Sequence, residues 1–176
     1  PVEVPYDLPE GWIWARLGSI VYLRPQVKPS ATFSYVDIGS IDSKLHRLSR
    51  ADTIIEAADA PSRARKPIAR GDILYSSVRP YLHNMCIVDR DFSEPPIAST
   101  GFAAMVCHSC IFNHYLFRFL MSPSFDSYAN ASGNSTGSSY PAISDVALYK
   151  ALVPVPPLAE QKRIAEMVDT TFELLS

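Results

Sequence analysis

Residues 66–84 read KPIARGDILYSSVRPYLHN, and the reading of this stretch decides the fold. Arg70-Gly71-Asp72 has the composition of a turn, and residues 73–77 form a short apolar run suited to a strand. Arg79-Pro80-Tyr81 makes a rigid corner, because proline fixes its own φ and restricts the residue before it. A strand bracketed this closely belongs among many short strands joined by shaped loops. The stretch also carries Lys66, Arg70, Arg79 and His83, so it is a scaffold that presents cations.

The rest of the chain fits that reading. Its 176 residues suit one domain, 47% hydrophobic content is enough for a folded core, and 15 prolines with nine tyrosines argue against a helical bundle. Strands are predicted at 12–14, 35–42, 84–88 and 98–106, with 17–22 either a short helix or a second strand. Residues 51–66 read as a polar connector ending in basic Ser62-Arg63-Ala64-Arg65-Lys66. Helices are predicted later: 112–121, aromatic on several sides and therefore buried, and 123–131, where Ser122 caps and Pro123 takes the first helical position. Ser144-Asp145 starts one more helical turn, and 153–157 is extended. The small, polar run 132–139 has nothing to bury and is predicted to be an exposed loop. From 158 to 175 there is neither Gly nor Pro, and Ile164, Val168, Thr171 and Leu175 follow a four-three-four spacing, a heptad seam that wants a partner helix.

The formal charge of −2 conceals an asymmetry. Residues 60–90 hold six Lys or Arg against two acids, and basic segments are where phosphates are usually met. Three cysteines, Cys86, Cys107 and Cys110, argue against a disulfide framework. The CxxC at 107–110 has no second ligand pair to complete a zinc site, so the thiols read as packed groups near a strand end. No apolar run approaches the roughly 20 residues of a membrane-spanning helix. The start, PVEVPYDLPEG, lacks both Met and a signal-peptide pattern, so the expectation is a fragment of a soluble, cytoplasmic protein. The glycines at 133 and 137 have the wrong spacing for a phosphate loop, and the four histidines show no ligand spacing. No catalytic residue, metal site or cofactor is predicted.

Several stretches together resemble one family, the specificity subunits of Type I restriction-modification systems. They are Leu8-Pro9-Glu10-Gly11-Trp12-Ile13-Trp14 with Leu17-Gly18, then Ala60-Pro61-Ser62-Arg63-Ala64-Arg65, and the run from Gly71 to Pro80. Ile97-Ala98-Ser99-Thr100-Gly101-Phe102 follows, then Tyr140-Pro141-Ala142-Ile143-Ser144-Asp145, and Val153-Pro154-Val155-Pro156-Pro157-Leu158-Ala159-Glu160-Gln161. Cys107-His108-Ser109-Cys110 departs from the family pattern. The resemblance implies an α+β, mixed target recognition domain of short twisted strands and a few helices over residues 1–155. A protruding coiled-coil-type spacer helix begins at 156–176.

In this family each of two recognition domains reads one half of a bipartite double-stranded DNA site, and their helices pack antiparallel. Modification (methyltransferase) subunits use S-adenosylmethionine, restriction subunits cut, and the specificity subunit is not catalytic. On that reading Arg63, Arg65, Lys66 and Arg70 serve phosphates. Arg79 suits a phosphate or a guanine, unless it pairs internally with Asp72 or Asp37. Tyr81, His83 and Asn84 are expected to face the groove. Asn134, Ser135, Thr136, Ser138, Ser139 and Tyr140 are expected to read from the loop, while Ser99-Thr100-Gly101 is either a reader or a tight turn. Ile164, Val168, Thr171 and Leu175 are expected to meet a second recognition domain's helix or a second copy of the chain. The alternatives are the specificity portion of a fused restriction-methylation enzyme, a protein-interaction module working through its helix, or a thiol enzyme using Cys107 and Cys110.

Overall fold

A computed structural model describes residues 4–49, 52–132 and 142–175. The chain forms β1 (Ile13–Arg16), the single turn α1 (Leu17–Ile20), β2 (Val21–Tyr22), β3 (Phe33–Val36), β4 (Ile41–Asp42) and β5 (Arg47–Leu48). Next come β6 (Thr53–Ile55), β7 (Ala64–Pro67), β8 (Ile73–Ser76), β9 (Met85–Ile87), β10 (Pro96–Ser99) and β11 (Phe102–Cys107). Helices α2 (Asn113–Leu120), α3 (Pro123–Ser132) and α4 (Asp145–Lys150) follow, then β12 (Leu152–Val155) and α5 (Leu158–Leu175).

All four residues of β8 are buried. Side chains alternate across a strand, so Ile73 and Tyr75 face one way with Ala103 and Met105 of the paired β11, against α1, α2, α3 and α4. Leu74 faces the other way with Phe102, Ala104 and Cys86, toward Val36 and Ala98 of a second sheet. Burial on both faces accounts for a continuous apolar run where a half-exposed strand would alternate. One sheet runs β2-β11-β8-β9, all antiparallel, and the second runs β6-β3-β10-β7 with β3 and β10 parallel. Each of Ile73, Leu74 and Tyr75, at most 1% exposed, contributes about 1.5–3 kcal/mol of burial.

The structure departs from the predicted elements where side chains compete for the backbone. Residues 35–42 are not one strand. The Asp37 carboxylate accepts the Ser40 N–H (3.2 Å), the Ser40 hydroxyl accepts the Asp37 N–H (3.1 Å), and this reciprocal box closes a 3-10 turn at Ile38–Ser40. Residues 98–106 are likewise two strands, because the Ser99 hydroxyl accepts the Gly101 N–H (3.2 Å) at a turn. Residues 51–66 are no simple connector, since they supply β6 and β7 to the second sheet. Residues 17–22 are both predicted alternatives in succession, α1 then β2.

The helix starts follow their caps. Ser144 accepts the Ala147 N–H (3.2 Å) at α4, and Ser122 accepts the Phe125 N–H (3.3 Å) at α3. Antiparallel pairing of β1 with β12, Ile13 opposite Val155, brings the early and late parts of the chain together. Helix α5 docks by its first half. Gln161 and Ala165 are buried, and Arg118 of α2 pairs with Asp169 at 2.6 Å. Residues 170–174 are exposed. No helix among the described residues is long and apolar enough to cross a membrane.

Candidate nucleic-acid interface

The end of β8 that carries Ser77 and Arg79 is where the predicted readers gather. The Thr100 N–H donates to the Arg63 carbonyl (2.9 Å), and the Arg63 guanidinium lies across Gly101, where a Cβ would sit 2.9 Å from it. Ser99-Thr100-Gly101 is therefore a tight turn that seats Arg63. Gly101 in turn accepts from the Ser77 N–H and hydroxyl, both at 3.3 Å. The Ile143 N–H donates to the Ser77 carbonyl (3.0 Å), and Val78 bridges Ala142. The expected reading-loop residues Asn134, Ser135, Thr136, Ser138, Ser139 and Tyr140 lie outside the described residues. The described chain resumes at Ala142, beside Val78, and α3 packs against the turn at Pro80–Leu82.

The corner itself is left-handed. Arg79 has φ +49° and His83 φ +48°, conformations in which side chains other than glycine's are crowded, and they flank a 3-10 turn at Pro80–Leu82. Tyr81 and Leu82 are exposed at the tip, whereas Arg79 and Asn84 are half-buried. His83 is half-buried too, with its Nε2 2.9 Å from both carboxylate oxygens of Asp126 on α3. Neither suggested internal partner of Arg79 fits as expected. Asp72 holds Arg24 and accepts the Ala69 N–H (2.8 Å), and Asp37 is engaged in its own turn.

The other cations are not all brought to this edge. Arg70 sits at the opposite end of β8, exposed and 3.5 Å from Asp91. Arg65 is half-buried on β7 and donates to the Ala64 carbonyl (2.7 Å). Lys66, also on β7, donates its Nζ to the Phe102 carbonyl, and burial pulls its pKa below the usual lysine value. Arg63 is exposed. Arg63, Arg65 and Lys66 thus sit on or beside a strand, not in a flexible connector. All three thiols are free, and burial pushes Cys107 and Cys86 up to about 12, far from the range of a reactive thiolate.

Two residues that organise this site give little local signal. Asp126 is one acid in the first turn of α3, and only the folded chain shows its partner 43 residues away. Gln161 is visible in sequence as part of a motif, but not as a fully buried amide that joins α5 to the loop before α2.

Two four-stranded sheets, with helices packed on one face and a trailing helix, make up the body of the fold. No family profile matches the chain. It is 28% identical over 173 residues to the EcoDI Type I restriction enzyme specificity subunit of Escherichia coli, covering 97% of this chain and 36% of that protein. The HindI specificity subunit of Haemophilus influenzae is 24% identical over 115 residues, 65% of this chain and 25% of that one. Among solved structures, the HsdS subunit from Thermoanaerobacter tengcongensis superposes with a TM-score of 0.87 at 36% identity, covering 99% of this chain and 45% of that one. A structure of a type I R-M system, concerned with complex assembly and conformational transition, gives 0.86 at 38% identity over 96% of this chain and 44% of that one. The chain belongs with the Type I restriction specificity subunits, as a target recognition domain with the helix that follows it. It spans less than half the length of these relatives.

Proposed function

We propose that this chain binds one half of a bipartite double-stranded DNA site, as the non-catalytic recognition component of a Type I restriction-modification complex. The observation that carries this reading is the convergence at one edge of Arg63 on Gly101, the left-handed Arg79 corner, and Ala142, where the described chain resumes after the predicted reading loop. Cations there position the domain on phosphates, and loop side chains reach base edges. Residues 1–155 form the reading domain, and the helix from 156 connects it to the rest of the assembly. Modification and restriction subunits supply the chemistry.

Binding is expected to fall steeply with salt. If about four phosphates are neutralised, the log–log slope is near −3.6, about a hundredfold loss between about 50 and 200 mM salt. Changing Arg63 and Arg65 together to Ala is expected to weaken all sequences alike and reduce the slope by about two. A flat salt response in the parent chain would remove DNA from the interface and favour a protein-interaction role.

The helix reading also belongs here. Ile164 and Val168 are half-buried and line an open groove beside α2 with Tyr115, Phe119, Pro123 and Phe172. Thr171 is exposed and bonds back to the Met167 carbonyl (2.8 Å). The most exposed apolar side chains of α5 are Leu174, at 82%, Met167 and Phe172, the last with the Arg118 guanidinium over its ring. We infer that this face pairs with the helix of a second recognition domain, and weakly with a second copy of the chain. Met167→Glu with Leu174→Glu is expected to abolish concentration-dependent association in sedimentation while the domain stays folded. Ile164→Glu with Val168→Glu is expected to loosen α5 from α2 as well. An oligomer that survives the Met167 and Leu174 changes would place association on another surface.

A further inference from the structure

We propose that Asp126 is a positioning residue for residues 79–83, and that this turn is a preformed reading element whose tip, Tyr81 and Leu82, contacts DNA. The inference rests on the DNA-binding reading above. Both ends of the turn adopt the left-handed conformation without glycine, so their surroundings must hold them there. At the first end the Leu82 N–H donates to the Arg79 carbonyl (2.9 Å) and Pro80 is buried. At the second end the His83 N–H donates to the Pro80 carbonyl (3.0 Å), and its ring is fastened by Asp126, equidistant from both carboxylate oxygens.

The anchor is itself rigid. Asp126 lies in the first turn of α3, where a carboxylate is favoured by the helix dipole, and its N–H donates to the Ser122 carbonyl (3.0 Å). The neighbouring Phe125 is 2% exposed and packs edge-on against Tyr75 of β8, with ring centroids 5.8 Å apart. The turn is thus fixed at its root by β8 and at its far end by α3. It holds Tyr81 and Leu82, 48% and 46% exposed, side by side beside the cation Arg79. Adjacent large apolar side chains on a rigid turn gain by burial against a base step, as the apolar wedges of groove-binding proteins do.

The test is selection by the 176-residue chain from a pool of duplexes with a randomised centre, followed by sequencing. The unchanged chain is expected to enrich a motif. Tyr81→Ala with Leu82→Ala is expected to flatten part of that motif by about tenfold. Asp126→Ala is expected to flatten the same positions while binding the unselected pool within about twofold, and His83→Gly is expected to flatten those positions too. Asp126→Asn, which keeps an oxygen for His83, is expected to retain most of the preference. Glycine adopts a left-handed φ freely, so His83→Gly removes the ring without straining the turn and keeps the test open if Asp126→Ala does not fold. If Asp126→Ala and His83→Gly keep the full motif while the Tyr81 and Leu82 pair loses it, Asp126 does not position the turn. If all variants keep it, the turn is not a reader. If the unchanged chain enriches nothing, the DNA-binding reading itself fails.

Discussion

Gln161→Ala is expected to destabilise the domain by about 3–5 kcal/mol, lowering the thermal midpoint by about 10 °C for a chain of this size. Gln161 is completely buried. Its Oε1 accepts the Phe112 N–H (2.8 Å), and its Nε2 donates to the carbonyls of Cys110 and Pro156, both at 2.9 Å. These backbone groups lie in the loop before α2 and the segment before α5, where no ladder satisfies them. Removing the amide strands three backbone polar groups at once, the buried Pro156 carbonyl and two part-buried groups at Cys110 and Phe112. Gln161→Leu restores the volume but none of the bonds, so it should destabilise nearly as much as Ala. A mild effect of Leu with a severe effect of Ala would show that packing, not hydrogen bonding, is what matters.

Gln161→Glu adds a test by pH. A carboxyl there would face two carbonyls, so its folded-state pKa would lie above the unfolded value of about 4.3. The folded state then binds the proton more tightly. The variant should come closest to the parent at low pH and fall away from it as pH rises through the raised pKa.

The strand at Ile73 was legible because burial leaves a compositional trace, although its cover on both faces emerged only from the fold. Ile73-Leu74-Tyr75 is uninterrupted, and only a strand covered on both sides needs that. Caps at Ser122 and Ser144 were legible for a similar reason, since a helix start must satisfy its own N–H groups locally. The break at Asp37 was missed because alternation at 35–42 dominates any reading by period, and the turn at Ser99 was only one of two readings beside a strand at 98–106, while one side-chain bond is enough to turn the chain.

At the site, the basic segment and the Arg79 corner could be found by charge and proline. Their destinations could not. Lys66 bonding to Phe102 and Arg63 lying over Gly101 are consequences of which strands become neighbours, and no local spacing encodes that. The seam of α5 shows the same limit. Its spacing identifies an apolar stripe but not that Ile164 and Val168 line a groove beside the chain's own α2.

Arg24→Ala is expected to cost about 3–5 kcal/mol at neutral pH and considerably less near pH 4. Arg24 lies in a stretch between β2 and β3 without regular structure, yet its guanidinium reaches Asp72 at the start of β8. Asp72 is 2% exposed, and burial pushes its carboxyl above the usual value, against the opposing pull of Arg24 and the Ala69 N–H. Without Arg24 only burial and one backbone bond remain, and the folded-state pKa rises further. An acid whose folded pKa is raised favours folding while protonated and loses that contribution as pH climbs through the folded pKa. The gap between parent and variant should therefore open from about pH 4 toward neutrality. Arg24→Met keeps much of the stem beside Pro67 and Ala104 without the charge, and combining it with Asp72→Asn should recover most of the loss, because both partners are then neutral. Equal destabilisation at pH 4 and pH 7 would instead assign Arg24's role to packing. The pair also bears on the corner beyond β8: Asp72 immediately precedes the strand and Arg79 follows its end, so a chain unlocked at Asp72 should hold that corner less firmly as pH rises.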